Sequence, residues 1–337
     1  MSAAQLLKRL TSASRHSHAA LASYFDVCDQ ELEQWFNELS SQGVAIWSDG
    51  EAVMLTSQID WLELDRVEQH SEQPFSLELS LETESTSADL QRRAAHQSIH
   101  QLALTTEYQR AGRGRMGRSW QSPVAQNIAL SVGWQFDRAA TALEGLSLAI
   151  GASLARAFDD AFGVSLKLKW PNDLYLNDRK CGGVLVEVSG DLTQSCTVIV
   201  GVGLNLIITE QAGKAIDQPW AALGSELPSG VSRSAVLGVM LDSLSVVLQS
   251  YRVGEFEQWH ALYAERDWLF GQHVVIEGAQ TVRGLAAGIN KKGALLVHSN
   301  GEQVPIFAGE AQLARRSSAT PGELSDASML RMEADNV

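Results

Sequence analysis

The sequence predicts an α+β fold, helices packed over a largely antiparallel sheet, and three observations carry that reading. Between Phe75 and Leu206, short runs of alternating apolar residues are separated by turns rich in Gly, Asn and Asp. One long stripe interrupts them, Leu146, Ile150, Leu154, Ala157 and Phe158, at helical spacing. From Leu166 onward four strand-like runs then follow with only turns between them, as an antiparallel meander requires.

The chain has 337 residues, enough for two or three domains. Hydrophobic residues at 45% and charged residues at 20% suit a globular protein. A net charge of -14 argues against broad affinity for nucleic acid or anionic membrane. No apolar run reaches a membrane span, and the N-terminus lacks the apolar core of a signal peptide, so a cytoplasmic protein is expected. Cys28, Cys181 and Cys196 are odd in number and widely spaced, which indicates neither disulfides nor zinc.

Residues 1–60 read as a module of their own. Helices are predicted over Gln5–Leu10, His18–Phe25 and Asp29–Leu39, the third with Leu32, Trp35, Phe36 and Leu39 on its apolar face. Val44–Trp47 and Ala52–Leu55, joined through Ser48-Asp49-Gly50, predict a two-stranded wing. Three helices and a wing are the order of a winged helix-turn-helix. The third helix nevertheless carries Asp29, Glu31, Glu33 and Glu38 and no cation, a poor surface to lay against phosphates.

Residues 57–75, acidic and polar with Pro74, read as a linker into a second domain spanning 75–268. That domain opens with a strand at Phe75–Leu81. A helix follows from about Ala88 to His96, with Thr86 and Asp89 spaced as a capping box. The neighbouring hydroxyls could equally present donors to a polar ligand. His96 and His100, one turn apart without nearby carboxylates, read as surface or packing residues.

After a strand at Leu102–Tyr108 comes Glu107 to Trp120, EYQRAGRGRMGRSW. Arg110, Arg113, Arg115 and Arg118 fall within nine residues, interleaved with Gly112, Gly114 and Gly117. Glycine lets a backbone approach a ligand closely, and arginine offers a planar fork for carboxylate or phosphate. The combination is that of an anion clamp. The glycines also fit G-x-G-x-x-G, but that fingerprint requires a helix where a second strand, Asn127–Trp134, is predicted.

A helix over Thr141–Phe162 ends at Gly163. The meander runs through Leu166–Trp170, Leu174–Leu176, Gly183–Val188 and Thr197–Leu206, with a turn at Ser189-Gly190-Asp191. Two polar segments, Lys169–Asp173 and Asp178–Gly183, stand out between its core strands. Gly201 and Gly203 interrupt a β-branched run, as they would if something flat approached the backbone. Helices are predicted over Ser234–Gln249 and Glu255–Trp268. Short strands with glycine turns, over residues 270–316, read as an SH3-like barrel. Residues 317–337, rich in Ser, Ala, Pro, Gly and acids, read as a disordered tail.

Three separated motifs, Gly112–Trp120 (GRGRMGRSW), Lys169–Glu187 (KWPNDLYLNDRKCGGVLVE) and Gly201–Leu206 (GVGLNL), closely resemble the biotin protein ligases, and the order of parts resembles the bifunctional repressor type. The resemblance is strong from Phe75 to Leu206 and faint over the first 60 residues. It implies a class II synthetase-like catalytic domain that uses ATP, with Mg²⁺, to adenylate biotin, then passes biotin to a lysine of a carboxyl-carrier domain of a biotin-dependent carboxylase. By motif, Ser85, Thr86, Ser87 and Gln109 would hold the ureido end of biotin, with Gly201 and Gly203 beside it. Arg113, Gly114 and Arg115 would close over its carboxyl and the phosphate, with Lys180 the fixed cation at the developing charge. Arg118, Trp120, Asn172 and Asn205 would complete the nucleotide site, and Asp173 would orient the incoming amine. No magnesium ligand is assigned. Met116 stands where the best-known members of this type carry another arginine.

The resemblance also implies a second activity, biotin-responsive repression as a dimer on operator DNA, against which the acidic third helix stands. Lipoate ligation is the other competitor, and the arginine-rich loop favours biotin over it.

Overall fold

The computed structural model describes residues 2–71, 74–137, 139, 143–189, 195–251, 256–277 and 281–314. The tail at 317–337, Thr141, Glu255 and the Gly190-Asp191 part of one predicted turn lie outside them.

The first helix, α1 (Ala3–Leu10), starts at a Ser2–Gln5 capping box, which satisfies two otherwise orphaned N–H groups. A two-residue strand that the pattern did not reveal, β1 (His16–Ser17), leads into α2 (His18–Phe25) and α3 (Asp29–Ser41). Then come β2 (Ile46–Ser48) and β3 (Ala52–Leu55), an antiparallel pair, with β1 added on the far edge of β3. Leu32, Phe36 and Leu39 of α3 are buried as its spacing required. Their core also takes in Val124 and Ala125, with Leu81 and Tyr108 packed against it. The acidic side chains Asp29, Glu31, Glu33 and Glu38 are all exposed.

Within the linker stretch sits a short helix, α4 (Leu64–Glu68), whose Val67 is fully buried. Next come β4 (Ser76–Ser80), α5 (Thr86–Ala94), β5 (Leu102–Thr106), β6 (Gly112–Arg113), β7 (Ser119–Trp120) and β8 (Ile128–Phe136). The long stripe forms α6 (Leu146–Phe162), closed by Gly163 in the left-handed region. The meander gives β9 (Lys167–Lys169), β10 (Asp173–Leu176), β11 (Arg179–Ser189) and β12 (Cys196–Leu204). A turn of helix, α7 (Glu210–Gly213), precedes α8 (Arg233–Ser250) and α9 (Glu257–Ala264), and five strands follow: β13 (His273–Glu277), β14 (Val282–Ile289), β15 (Leu295–Ser299), β16 (Glu302–Ile306) and β17 (Glu310–Leu313).

The chain divides into two compact units. The first holds residues 1–134 and 199–238, and with them the β4-β5-β8-β12 run of a seven-stranded sheet. Here β4 and β5 are parallel and β5 and β8 antiparallel. Residues 135–198 and 239–337 make up the second, with the β11-β10-β9 run, antiparallel throughout, and a five-stranded sheet of order β16-β15-β14-β13-β17. The fold is thus mixed α/β with a large, antiparallel-rich sheet and a C-terminal β-sheet region. No helix among the described residues is long and apolar enough to cross a membrane.

One local expectation is corrected. The N-cap of α5 is Ser85, whose Oγ accepts from the Ala88 N–H at 3.4 Å, and not Thr86. Because the helix starts one residue early, Asp89 falls past the capping-box position. It takes the hydroxyl of Thr83 and the guanidinium of Arg92 instead.

Candidate active site

In the first unit four of the sequence-predicted residues gather around the start of α5. Ser85, Thr86, Ser87 and Gln109 are all buried. Gln109 Oε1 accepts from the Thr86 N–H at 2.9 Å and from the Thr86 hydroxyl at 3.2 Å, so it satisfies a helix N-terminal donor that would otherwise be orphaned. Ser131, in the middle of β8, is the residue the pattern missed. Its hydroxyl lies 2.7 Å from that of Thr86 and 2.9 Å from that of Ser87. The sequence shows only a hydroxyl among mostly apolar neighbours and gives no hint of what it pairs with. A chain of side-chain dipoles in a buried setting can read the donors and acceptors of a polar ligand group strictly, because an unmatched one is expensive there.

The arginine-rich segment is a tight hairpin, and no helix starts at Gly112, so its G-x-G-x-x-G spacing serves no dinucleotide turn. Gly112 pairs with Trp120 and Arg113 with Ser119, and the Gly114 N–H reaches the Arg118 carbonyl at 2.7 Å. A side chain at Gly112 would place its Cβ 2.5 Å from the Trp120 carbonyl oxygen. The root is fastened by backbone bonds from Arg110 and Ala111 to the carbonyls of Thr83 and Glu84. Arg110 is held there by Glu82 at 2.5 Å and Glu84 at 2.9 Å. Arg113 donates to Gln91 at 3.1 Å, and Arg115 is half-buried. Met116 is 77% exposed at the tip, where it adopts a left-handed φ of 55°.

Gly203 explains itself: what approaches its backbone is the indole of Trp120, which a Cβ there would meet at 2.5 Å. Gly201 lies buried on the same strand. Asn205 is buried, donates to the Ala221 carbonyl at 3.2 Å and accepts from Asn127 at 3.4 Å.

In the second unit Lys180 and Asp173 form an ion pair of 2.8 Å, their side chains only 16% and 15% exposed. A bulge in the β10–β11 pairing, between Leu174 and Tyr175, sets Lys180 opposite Tyr175. Tyr175 and Asp173 share a face of β10, so the bulge is what puts the lysine on the side of the carboxylate. Asn172 holds β11 through its side chain and its carbonyl, each 2.9 Å from a Val184 backbone group. Cys181 between them is buried, and burial pushes its thiol well up, the opposite of an activated nucleophile. Among the described residues no three His, Cys, Asp or Glu side chains gather as a metal site.

Residues 82–205 match the biotin/lipoate A/B protein ligase family, and residues 269–313 match the biotin protein ligase C-terminal domain. The biotin--[acetyl-CoA-carboxylase] ligase of Mycobacterium tuberculosis is 33% identical over 241 residues, 69% of this chain and 87% of that one. The bifunctional ligase/repressor BirA of Escherichia coli is 32% identical over 212 residues, 63% of this chain and 66% of BirA, so the match spans just under two thirds of that relative. Among solved structures, biotin protein ligase from Aquifex aeolicus in complex with biotin and ATP superposes with a TM-score of 0.60 at 27% identity, over 71% of this chain and 98% of that one. Fold and site together define a mixed α/β ligase. The chain belongs to the biotin/lipoate A/B protein ligase family, on its biotin protein ligase side.

Proposed function

We propose that this protein is a biotin protein ligase that activates biotin with ATP and transfers it to one lysine of a biotin carboxyl carrier domain. The observation that carries the reading is the joining, within one folded unit, of a buried hydroxyl–amide cluster to the root of a cationic hairpin. Residues 83–84 and 109–111 are backbone-paired, so the group suited to a ureido ring and the group suited to carboxylate and phosphate share one frame. In the first step a biotin carboxylate oxygen bonds to the α-phosphorus of ATP and the bond to the β-phosphate breaks, releasing pyrophosphate. The lysine amine then attacks the acyl carbon, AMP leaves, and the amine loses a proton. Two anions must be pressed together in step one, and Arg113, Arg115 and Lys180 are the cations for it. Gly114 gives the hairpin backbone its close approach, and Arg118, Trp120, Asn172 and Asn205 serve the nucleotide.

Mg²⁺ comes to the reaction on the triphosphate, as part of the substrate. There it would shield the charge of the departing pyrophosphate. Asp173 orients the incoming amine, and Met116, exposed at the tip, leaves Arg113 and Arg115 to grip the phosphates. The domains are a winged helix-turn-helix-like module at 1–60, a class II synthetase-like catalytic domain at 75–268 and an SH3-like domain at 270–316, working in the cytoplasm where ATP and carrier meet. Operator binding by a dimer is not favoured, because the exposed face of α3 is acidic. Labelled pyrophosphate exchanging into ATP only when biotin is present, followed by a carrier domain gaining the mass of one biotin, is the expected result. Exchange with lipoate but not biotin would reverse the assignment.

A further inference from the structure

Arg233 opens α8, a place where the helix dipole disfavours a cation, and its side chain is nonetheless only 2% exposed. Its guanidinium is spent on three segments, each at 2.7 Å: the Asp60 carbonyl, the Glu107 carboxylate and the Asn127 carbonyl. The surrounding bonds close the cluster. Asp60 Oδ2 accepts the Arg233 N–H at 2.7 Å, Glu107 Oε1 accepts the Leu62 N–H at 2.7 Å, and the Ser234 hydroxyl accepts the Glu63 N–H at 2.9 Å. Each segment leads somewhere. Glu107 is the first residue of the arginine-rich stretch, two before Gln109, and its carbonyl accepts the Ala125 N–H. Asn127 Nδ2 donates to Asn205, and Asn127 Oδ1 takes the Leu206 N–H at 3.0 Å. Asp60 ends the N-terminal module and Leu62 lies in the linker stretch just after it.

We propose that Arg233, with Glu107 as its counter-ion, is a positioning residue for the nucleotide end of the site. It locks the root of the arginine hairpin and the Asn127–Asn205 pair into one rigid frame, tied to the junction at Asp60 and Leu62 where the N-terminal module runs into the linker stretch. The inference rests on the ligase reading. A buried pair of this kind is a poor source of stability compared with apolar groups of similar volume, so stability alone does not account for its presence.

The test uses the full chain with Arg233→Lys, Glu107→Gln and the double variant Arg233→Met/Glu107→Leu, which leaves no lone buried charge. Biotin-dependent pyrophosphate exchange is measured against ATP and against biotin, near-ultraviolet circular dichroism monitors folding, and tryptic cuts after Arg113, Arg115 and Arg118 are timed by mass spectrometry in substrate-free protein. We expect the folded double variant to show KM for ATP raised about tenfold or more, with kcat and KM for biotin moving less, and faster cutting in the hairpin. Arg233→Lys should recover part of both. A folded double variant with wild-type KM for ATP and wild-type cutting overturns the proposal. If that variant does not fold, Glu107→Gln, which keeps shape and the Leu62 acceptor, decides by the same two readouts. Absence of exchange in the unaltered protein would fell the ligase reading, whereas the cutting rate needs no substrate and tests Arg233 by itself.

Discussion

Gly203 has only a hydrogen where another residue would drive a methyl into the Trp120 ring. Gly203→Val should therefore displace the indole, at a stability cost of about 1–3 kcal/mol, and weaken ATP binding more than biotin binding. Separate KM values together with tryptophan emission read this out, and unchanged emission in a folded variant would take Trp120 off the glycine. Lys180→Ala should lower the adenylation rate by roughly 10²–10³, the effect of removing one preorganised charge from a developing anion. Single-turnover formation of biotinyl-5′-AMP is the measurement, and an unaltered rate would strip Lys180 of its role. Asp267 gives a pH effect. Full burial outweighs its bonds to the Leu269 and Phe270 N–H groups and raises its carboxyl from 3.8 to about 7, while its Oδ2 finds no hydrogen-bond partner among the described residues. Between those values the folded protein keeps a proton that the unfolded chain has released. The contribution is thus fully present below about pH 4 and lost as pH rises to 7, with a magnitude of a few kcal/mol. Asp267→Asn should flatten that slope and melt above the unaltered protein at pH 8 but not at pH 4. Thermal scans across the range would show a parallel slope if the carboxyl is not the cause.

At the scale of elements, α3 matters for what its C-terminal end touches. Gln42 receives the Val124 N–H at 2.9 Å on its side chain and the Gln126 amide at 2.7 Å on its carbonyl, and Val124 and Ala125 complete the apolar core of the first three helices. Removing residues 1–60 uncovers that core surface and takes away Asp60. The truncated chain is expected to melt roughly 5–10 °C lower and to retain part of its exchange activity. A well-folded truncate with none would make the module a component of the active site. Sequence periodicity found α2 residue for residue and β3 likewise, because amphipathic spacing is a local property of the chain. It missed β1, β6 and β7, two-residue strands too short to show any period. The start of α5 was missed by one cap position because three hydroxyls in a row compete for it, and which one wins depends on Gln109, 23 residues away.

For the whole molecule, the charge of -14 and the acidic exposed face of α3 lead to one further expectation. Titrated at low salt with palindromic duplex DNA, biotin and ATP, the protein should give no shift, since a binder gains counterion release only by bringing cations to phosphates. Salt-dependent binding strengthened by biotin would restore the repressor role.

The chain alone determined a mixed helix-and-sheet class rich in antiparallel strands, and the family, since the apolar patterns and the three motifs are contiguous and legible as text. Ser131, Asn127 and Arg233 became visible only in the fold. Each is a single polar residue in an unremarkable stretch, and its meaning lies in partners 44 to 173 residues distant. Burial makes such partnerships compulsory, because a polar group withdrawn from water must find its bond inside the protein. Sequence shows which groups carry that demand, and only the tertiary structure shows which group answers it.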